Sequence, residues 1–419
     1  MKAEIITIGT ELLLGEQVDT NSVYIAQQLA RIGVDLYYKT TVGDNRGRIA
    51  EALRLALGRC DVVITTGGLG PTADDVTREA VADVAGRPLV LVPALLAHIE
   101  SLFQRWGRPM TENNRRQAYV PQGALIIENP VGTAPAFAVD LPQGTIICLP
   151  GVPREMKYLM EERVLPYLRE KMGGRTQVIK SLILRTCGLG ESQVGEQIED
   201  LMQCANPTVG TAAHAGQTDV RITVKADSEE EADRLLEEMA ARVRERLGDA
   251  IYGTGSETVE EVVVRLLTQA GRRLALLETN TGGALAARLR SVPQAEQVLA
   301  LAEVLADAET VAARFGGGEE APWSSPSAAV RAAQELLARS GADLALALVG
   351  SMEPGGDPYT ARQGVTQVAL ATPQDVAWQT HHFGGTGELT QRWVGTRALD
   401  QVRRYLLSVL RSPGLPKPA

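Results

Sequence analysis

Cysteine and aromatic side chains are scarce in this chain of 419 residues. It contains four cysteines and four histidines, and Phe, Trp and Tyr make up 4% of the residues. No two cysteines form a Cys-x-x-Cys pair and no histidine stands at ligand spacing from them, so the sequence argues against a zinc site. We expect the cysteines to be reduced structural thiols. The hydrophobic cores must then be built mainly from Leu, Val, Ile and Ala.

Long apolar runs and a surplus of positive charge are also lacking. No apolar stretch approaches the ~18 residues that suggest a membrane span. Residues 1–7 enter a strand pattern without a signal-peptide hydrophobic region. The formal net charge of −9 argues against a nucleic-acid partner recognised through phosphate neutralisation. We therefore expect a cytoplasmic protein that binds neither membrane nor nucleic acid, with a local pocket for one small phosphorylated ligand left open.

The pattern of the chain predicts an α/β protein of three domains, since its length exceeds what one core usually serves. In residues 1–172, short β-branched runs alternate with helical stretches, which predicts a sheet covered by helices on both faces. Residues 173–255 predict a small α+β domain of β-α-β-α order, and residues 256–411 a second α/β domain. Residues 412–419 contain three prolines and are expected to be disordered, and residues 315–327 are expected to form a loop.

The strongest local pattern is a glycine loop, residues 66–77, between a buried-strand pattern and a helix predicted from Asp75. It reads Thr-Gly-Gly-Leu-Gly-Pro-Thr-Ala-Asp-Asp-Val-Thr. Glycines let backbone N–H groups approach a phosphate, and a helix N-terminus adds a favourable dipole. Asp74 and Asp75 would repel that anion unless a divalent cation intervenes, so they are candidate metal ligands or a water-orienting base. The alternative is an ordinary turn in which Asp caps the helix. The loop has no Gly-Lys-Ser/Thr and is therefore not a Walker A loop.

Further polar segments stand where other strands of the same sheet are predicted to end. In an open α/β sheet, ligands bind beyond the carboxyl ends of the strands, so these loops are candidates to converge on one site. Any one of them alone is more often an ordinary turn. The segments are residues 9–11 with Gly15 and 19–21, residues 43–45, residues 129–135 and residues 150–156.

Four segments together resemble the CinA (competence/damage-inducible protein A) family, and the resemblance extends in order along nearly the whole chain. It implies that the first domain has the molybdopterin-binding fold of the molybdenum-cofactor adenylyltransferases and insertases. It implies a KH-type fold for residues 173–255, which does not establish RNA binding, and it favours a homodimer. The four segments are residues 9–15, 67–77, 129–135 and 149–156.

The resemblance implies metal-dependent hydrolysis of a small nucleotide substrate, ADP-ribose, to AMP and ribose 5-phosphate. Asp44 and Asp75 match the family's catalytic and metal-binding aspartates, and Asp74 would be a further ligand of Mg²⁺, Mn²⁺ or Co²⁺. Such an ion offsets the pyrophosphate charge and lowers the pKa of a bound water. The residues expected to bind the substrate are Gly67, Gly68, Gly70, Thr72, Glu11, Gly132, Thr133, Gly151 and Glu155.

The third domain occupies the place of the family's nicotinamide-mononucleotide amidase but departs from its motif. The family has Glu-Ser-Cys-Thr-Gly-Gly, whereas residues 278–283 read Glu-Thr-Asn-Thr-Gly-Gly, so Thr279 replaces the nucleophilic serine. Residues 298–314 contain no Lys or Tyr where the family's catalytic Lys would lie, and a Thr without a base is a poor nucleophile. Residues 349–356 and Gly387 depart as well. We expect the amidase activity to be absent and the fold to remain.

Two alternatives to the hydrolase stay open. One is amidase chemistry on nicotinamide mononucleotide, which the missing Lys disfavours. The other is a non-catalytic module that binds a nucleotide or a pterin and signals through the two later domains. A hydrolase releases AMP from ADP-ribose, whereas a binding module binds its ligand without turnover under any divalent metal.

Overall fold

The computed structural model describes residues 1–173, 177–315, 326–350 and 364–411. These residues divide into two compact units. Met1–Lys180 and Val224–Leu235 form one unit, and Ser181–Thr223 with the chain from Leu236 forms the other.

Parts of three predicted segments lie outside the described residues: all of the tail 412–419, nearly all of the loop 315–327 and most of the segment 349–356. Within the described ranges, no helix is both long enough and apolar enough to cross a membrane. None of the four cysteines is in a disulfide, and Cys60, Cys148 and Cys187 are buried.

Strands and helices alternate along most of the N-terminal domain. The strands are β1 (Lys2–Ile8), β2 (Asp35–Val42), β3 (Val62–Thr66), β4 (Leu89–Leu91), β5 (Tyr119–Pro121), β6 (Leu125–Ile127), β7 (Ala136–Leu141) and β8 (Gly144–Leu149). The helices are α1 (Thr10–Leu13), α2 (Thr20–Arg31), α3 (Arg46–Leu57), α4 (Thr77–Ala85), α5 (Pro93–Arg105), α6 (Pro153–Leu159) and α7 (Leu165–Lys171).

The main sheet of this domain has the strand order β2-β1-β3-β8-β7-β6. β1, β2, β3 and β8 run parallel, and β7 and β6 follow in antiparallel pairing. Because side chains alternate along a strand, Ile6 and Ile8 of β1 pack among α3, α4 and α5, whereas Ala3 and Ile5 pack among α2, α6 and α7. The predicted α/β domain with both sheet faces covered is confirmed, and its sheet is mixed.

Three stretches of this domain differ from the prediction. The helix expected from Asp75 begins at Thr77, because the Asp75 carboxylate closes the preceding loop by accepting a hydrogen bond from the Thr72 N–H. The sequence pattern of residues 154–171 predicts one continuous helix, but the structure has a π-helical turn at Met160–Val164, just before Pro166, which has no N–H to donate. The small antiparallel pair of β4 and β5 was not predicted.

The middle domain forms a sheet of order β10-β11-β9-β12. The predicted β-α-β-α order is wrong, because two strands gave weak patterns: one carries mainly small residues and the other spans four residues. The elements are β9 (Val178–Cys187), α8 (Glu191–Gln197), α9 (Glu199–Met202), β10 (Thr208–His214), β11 (Gln217–Ala226), α10 (Glu229–Leu247) and β12 (Ile251–Thr254).

The C-terminal domain is a second layered α/β domain with the strand order β14-β13-β15-β16-β17. β13 pairs in parallel with β14 and β15, whereas β16 pairs antiparallel with both β15 and β17. One sheet face packs against α11, α12 and α16, and the other against α14 and α15. The elements are α11 (Val259–Ala270), β13 (Leu274–Glu278), α12 (Ala284–Arg290), α13 (Ala295–Val298), β14 (Leu299–Val304), α14 (Ala308–Phe315), α15 (Pro326–Ser340), β15 (Leu344–Gly350), β16 (Thr366–Ala371), β17 (Val376–His381) and α16 (Glu388–Arg411).

Candidate functional site

Polar loops meet at one edge of the N-terminal sheet. Because β1, β2, β3 and β8 are parallel, their carboxyl ends share this edge, and residues 128–135 reach it because β7 begins there. The topology therefore brings together the segments in which the sequence placed its candidate residues. They are residues 9–21, 43–45, 67–77, 129–135 and 150–156.

Asn21, at the start of α2, links two of these loops directly. Its Nδ2 donates to Thr66 Oγ1 at 3.0 Å and to the Gly151 carbonyl at 2.7 Å. Thr66 Oγ1 in turn donates to the Pro150 carbonyl at 3.0 Å. Asn21 Oδ1 is buried and has no hydrogen-bond partner among the described residues, so an acceptor remains available at this point. From the sequence, Asn21 is in a polar segment and Asn21 or Thr20 is the expected cap of the helix that follows, but the cap is Asp19, whose side chain accepts from the Ser22 N–H.

The glycine loop adopts a conformation that only glycine accepts at its first two positions. Gly67 has φ 109° and Gly68 has φ 66°. A Cβ at Gly67 would collide with the Ile8 carbonyl, and one at Gly68 would collide with Thr77 Oγ1. Both residues were predicted to bind substrate, and the structure shows that the loop needs them for its own shape.

Three side chains hold this loop by donating hydrogen bonds to its carbonyl groups. Arg78 Nη2 donates to the Leu69 carbonyl at 2.6 Å, and Gln117 Nε2 donates to the same oxygen at 3.3 Å. Arg116 donates to the Thr72 carbonyl and forms an ion pair with Glu79. None of these three residues was a candidate from the sequence.

Asp75 and Asp74 lie at the end of the loop in different environments. Asp75 Oδ2 accepts hydrogen bonds from both the N–H, at 2.9 Å, and the hydroxyl of Thr72. The hydroxyl predicted to bind pyrophosphate is thus bonded to Asp75. Asp74 is exposed, and hydrogen bonds from Thr72 and the backbone, together with the charge of Arg116, hold the pKa of its carboxyl below the ordinary value.

Asp44 follows β2 and is bonded across to the loop after β1. Its Oδ2 accepts from the Thr10 N–H at 2.8 Å and from the Thr10 hydroxyl at 2.9 Å. Its carboxylate therefore fixes the first turn of α1. Asp44 and Asp75 are both half-buried, and each accepts a hydrogen bond from a threonine hydroxyl, Asp44 from the loop after β1 and Asp75 from its own loop.

Asp44, Asp74 and Asp75 provide carboxylate oxygens in the loops at this edge, the kind of ligand that a divalent ion such as Mg²⁺ prefers. In the parts of the chain that the structure describes, no three His, Cys, Asp or Glu side chains come together as a metal site. Mg²⁺ usually keeps several waters and binds one or two carboxylates together with substrate phosphates. Asp44, Asp74 and Asp75 are of the right chemical type for that mode, but among the described residues they form no protein-only cage.

Glu155, in the first turn of α6, is held by a neighbouring loop. Asn129 donates from Nδ2 to Glu155 Oε2 at 2.6 Å and to the Ala134 carbonyl at 2.9 Å. A Cβ at Gly132 would collide with the Glu155 carboxylate. Burial raises the pKa of Glu155, although the bond from Asn129 opposes this. Thr133, which was also predicted to line the site, is half-buried beside this cluster.

A cavity of about 100 Å³ lies between the loop after β1 and the loop after β8. Glu11 and Gly151, two predicted substrate residues, line it together with Asn21 and Thr66. A Cβ at Gly9 would lie 2.5 Å from Glu11 Oε1, so the Glu11 carboxylate folds back over the end of β1. The glycine loop adjoins this cavity, since a Cβ at Gly151 would lie 3.4 Å from Gly67 Cα. Among the described residues that line this cavity, neither Asp44 nor Asp75 is found.

Thr279 of the C-terminal domain is 1% exposed, and its hydroxyl both donates and accepts a hydrogen bond within the protein. Its Oγ1 donates to the Leu348 carbonyl at 3.3 Å and accepts from the Gly350 N–H at 2.9 Å. The adjacent Glu278 is 0% exposed and accepts from the N–H groups of Leu285 and Ala286, at the start of α12. These contacts assign Glu278 and Thr279 to holding strand ends and a helix start.

Sequence relatives identify the family to which these domains belong. The chain is 41% identical over 412 residues to a competence-damage inducible protein of Caldicellulosiruptor bescii, covering 97% of this chain and 100% of the relative. The chain belongs to the CinA family. It is also 36% identical over 414 residues to a CinA-like protein of Dictyoglomus thermophilum, covering 98% of this chain and 100% of that protein.

Three family models match this CinA chain in succession. The probable molybdopterin binding domain matches residues 4–170, the damage-inducible protein CinA KH domain matches residues 181–253, and the CinA C-terminal domain matches residues 256–406. The predicted family and the three kinds of domain are therefore confirmed.

Solved structures resemble parts of the chain. CinA of Thermoplasma acidophilum, titled as having unknown function, is 36% identical and covers 41% of this chain and 96% of its own, with a TM-score of 0.37. The molybdopterin biosynthesis enzyme MoaB of Thermus thermophilus is 24% identical and covers 41% of this chain and 94% of its own, with a TM-score of 0.30.

Proposed function

We propose that the N-terminal domain hydrolyses ADP-ribose to AMP and ribose 5-phosphate with the help of a divalent metal ion. The observation that carries this proposal is the glycine loop beside Asp75. The N–H groups of Gly68, Leu69 and Gly70 have no hydrogen-bond partner among the described residues. Free N–H groups in a glycine turn suit phosphate oxygens, and neighbouring carboxylates suit the cation that must accompany them.

Each group at the edge then has a role in the reaction. Asp44 and Asp75 would hold the ion, which would offset the pyrophosphate charge and lower the pKa of a bound water. The loop N–H groups would stabilise the negative charge that develops on the phosphoryl oxygens as water attacks phosphorus and the bridging oxygen leaves. In the adjoining cavity, Asn21 Oδ1 would accept a hydrogen bond from a substrate hydroxyl.

The test is product analysis of the purified full chain with ADP-ribose, with and without Mg²⁺, Mn²⁺ or Co²⁺. We expect AMP release that needs the metal and is lost in Asp75→Asn, because the amide is a far weaker metal ligand. Glu51→Gln, a change of an exposed carboxylate on α3, is the matched control and should keep full activity. Full activity in a folded Asp75→Asn variant would overturn the assignment.

A non-catalytic module that binds a nucleotide or pterin is the second candidate. It is favoured by the threonine bonds that occupy Asp44 and Asp75 and by the lack of a preformed three-ligand metal site among the described residues. It predicts calorimetric binding of ADP-ribose or a pterin with no AMP released under any of the three metals. Amidase chemistry has less support, since the Thr279 hydroxyl is buried and doubly bonded. The homodimer and the cytoplasmic location stay predictions.

A further inference from the structure

Three successive carbonyl groups of the glycine loop are bonded to the first two residues of α4. Thr77 Oγ1 donates to the Gly67 carbonyl at 3.0 Å. The Thr77 N–H donates to the Gly68 carbonyl at 3.3 Å, and Arg78 Nη2 donates to the Leu69 carbonyl at 2.6 Å. The start of this helix therefore determines which way three peptide groups face.

The opposite side of those peptide groups presents their N–H groups. A trans peptide directs its N–H away from its own carbonyl, and the only cis peptide in the described ranges is Asn206–Pro207. Because the carbonyls of residues 67, 68 and 69 face α4, the N–H groups of Gly68, Leu69 and Gly70 face away from it. Successive N–H groups on one side of a turn form a concave surface that binds anions. The series ends at Gly70, since the next residue is Pro71 and has no N–H.

Arg78 is the less expected of the two holding residues. It is 2% exposed, and its hydrogen bonds go to main-chain carbonyls, those of Leu69 and, at 3.4 Å, Gly70. Its Nε has no partner among the described residues, and burial lowers the pKa of the guanidinium to about 10. The charge lies at a helix N-terminus, where the helix dipole is also positive. A bound anion on the far side of the loop would be attracted by both.

We propose that Thr77 and Arg78 are positioning residues of this site, which hold three loop carbonyls so that three N–H groups face a substrate phosphate. This inference rests on the proposed function for the identity of the phosphate, that of a nucleotide pyrophosphate. Neither side chain touches the phosphate. Thr77 is 0% exposed, and Arg78 is covered by the loop that it supports.

The decisive comparison is Thr77→Val against Thr77→Ser, because valine has the shape of threonine without the hydroxyl and serine retains the hydroxyl. We would measure binding of inorganic pyrophosphate with Mg²⁺ to the full chain by calorimetry. Thr77→Val should weaken binding about fivefold to tenfold, the effect of one hydrogen bond, whereas Thr77→Ser should stay within about twofold of the wild type.

A second pair of variants, at Arg78, tests the same inference if a Thr77 variant does not fold. Arg78→Met should weaken pyrophosphate binding at least as much as Thr77→Val, and Arg78→Lys should restore part of it by donating to one carbonyl. Arg87→Met is the matched control. Arg87 also donates to a backbone carbonyl, that of Asp140 at 2.9 Å, but it lies beyond the other end of α4.

Steady-state hydrolysis of ADP-ribose separates this inference from the proposed function. If the variants lose pyrophosphate affinity as expected but the wild type releases no AMP, the positioning role stands and the hydrolase does not. If the wild type is active and Thr77→Val and Arg78→Met keep its affinity and its KM, the positioning role is wrong and the hydrolase stands. A wild type that does not bind pyrophosphate would overturn the inference.

Discussion

The side-chain amide of Asn129 donates to the Glu155 carboxylate at 2.6 Å, joining residues 128–135 to the first turn of α6. Asn129 is 2% exposed, and it also binds the Ala134 carbonyl. Burial raises the pKa of Glu155, so the folded protein holds a proton there more tightly than the unfolded chain does. This carboxyl therefore couples the shape of the site edge to pH.

The Glu155 pair predicts a pH-dependent effect of Glu155→Gln on stability. A carboxyl with a raised folded pKa contributes stability below its ordinary pKa, and the contribution is lost as pH rises toward the folded value. Glutamine still accepts from Asn129 but cannot ionise. The free energy of unfolding of Glu155→Gln relative to wild type should therefore increase as pH rises above about 4.3, the ordinary pKa of a glutamate, as measured by urea unfolding. Glu128→Gln, an exposed change in the same loop, should show no such trend, and a difference independent of pH would contradict the prediction.

Replacing Gly70 with alanine should lower the hydrolysis rate much more than the stability of the fold. A Cβ at Gly70 would collide with the Asp75 carboxylate, yet Gly70 is not among the glycines with positive φ, so alanine fits its backbone. Gly70→Ala should displace Asp75 and lower turnover of ADP-ribose about 100-fold, while costing about 1 kcal/mol of stability or less.

Gly86→Ala is the control for the Gly70 prediction. Gly86 ends α4 at φ 61°, and a Cβ there would meet no atom within 4 Å. This change should cost about 1 kcal/mol through backbone strain and leave turnover unchanged. Rates and thermal unfolding of both variants check the pair. If Gly70→Ala and the wild type hydrolyse ADP-ribose at equal rates, the position of Asp75 does not matter for the reaction and the prediction is wrong.

The elements of the parallel sheet could be predicted because hydrophobic periodicity marks them clearly. Apolar residues at helical spacing predict a helix over residues 46–57, which is α3, and a β-branched run predicts a strand over residues 61–66, of which β3 covers all but the first residue. β10 was not predicted, because its sequence, Thr-Val-Gly-Thr-Ala-Ala-His, consists mainly of small residues and shows no strong alternation of apolar and polar side chains. The strand forms by antiparallel pairing with β11, and the local periodicity of a sequence does not predict such pairing.

The candidate site was predictable as a set of loops but not as a set of contacts. Alternation of strands and helices predicts parallel strands, whose carboxyl ends share one edge of the sheet, and this placed Asp44 and Asp75 at that edge. Arg78 was missed because an arginine in the first turn of a helix usually faces solvent, and nothing local shows that it is buried. The contact of Asn129 with Glu155 spans 26 residues and depends on β7 and β8 pairing between them.

Replacing Asp400 should cause a large loss of stability in the unit that contains the C-terminal domain. It is 4% exposed and Arg403 is 1% exposed, and Arg403 Nη2 lies 2.6 Å from Asp400 Oδ1. Burial alone would raise the pKa of Asp400, but Arg403 and Arg404 together lower it. Asp400→Asn leaves the Arg403 charge buried without its carboxylate, which should cost about 3–5 kcal/mol at neutral pH.

Hydrogen exchange of peptides from α16 measures the Asp400 effect in that unit alone. A carboxyl with a lowered folded pKa contributes stability above its ordinary pKa and loses it as pH falls through the folded value. The difference between Asp400→Asn and wild type should therefore shrink in acid. Glu388→Gln breaks the exposed pair with Arg392 on the same helix and should cost about 0–1 kcal/mol. A similarly small cost for Asp400→Asn would refute the buried-pair argument.

Restoring the family's serine at Thr279 should not create an amidase. Thr279→Ser keeps the bonds to the Leu348 carbonyl and the Gly350 N–H, so the hydroxyl stays buried, and residues 298–314 still offer no Lys to accept its proton. Neither wild type nor Thr279→Ser should release nicotinate mononucleotide from nicotinamide mononucleotide. Thr279→Val, in contrast, leaves the buried Gly350 N–H without an acceptor and should lower the free energy of unfolding by about 1–3 kcal/mol. Thr268→Val on α11, whose hydroxyl only donates to the Val264 carbonyl, is the matched control and should cost less. Product release that rises in Thr279→Ser would show that the hydroxyl reaches substrate, and the structural role assigned to it would be wrong.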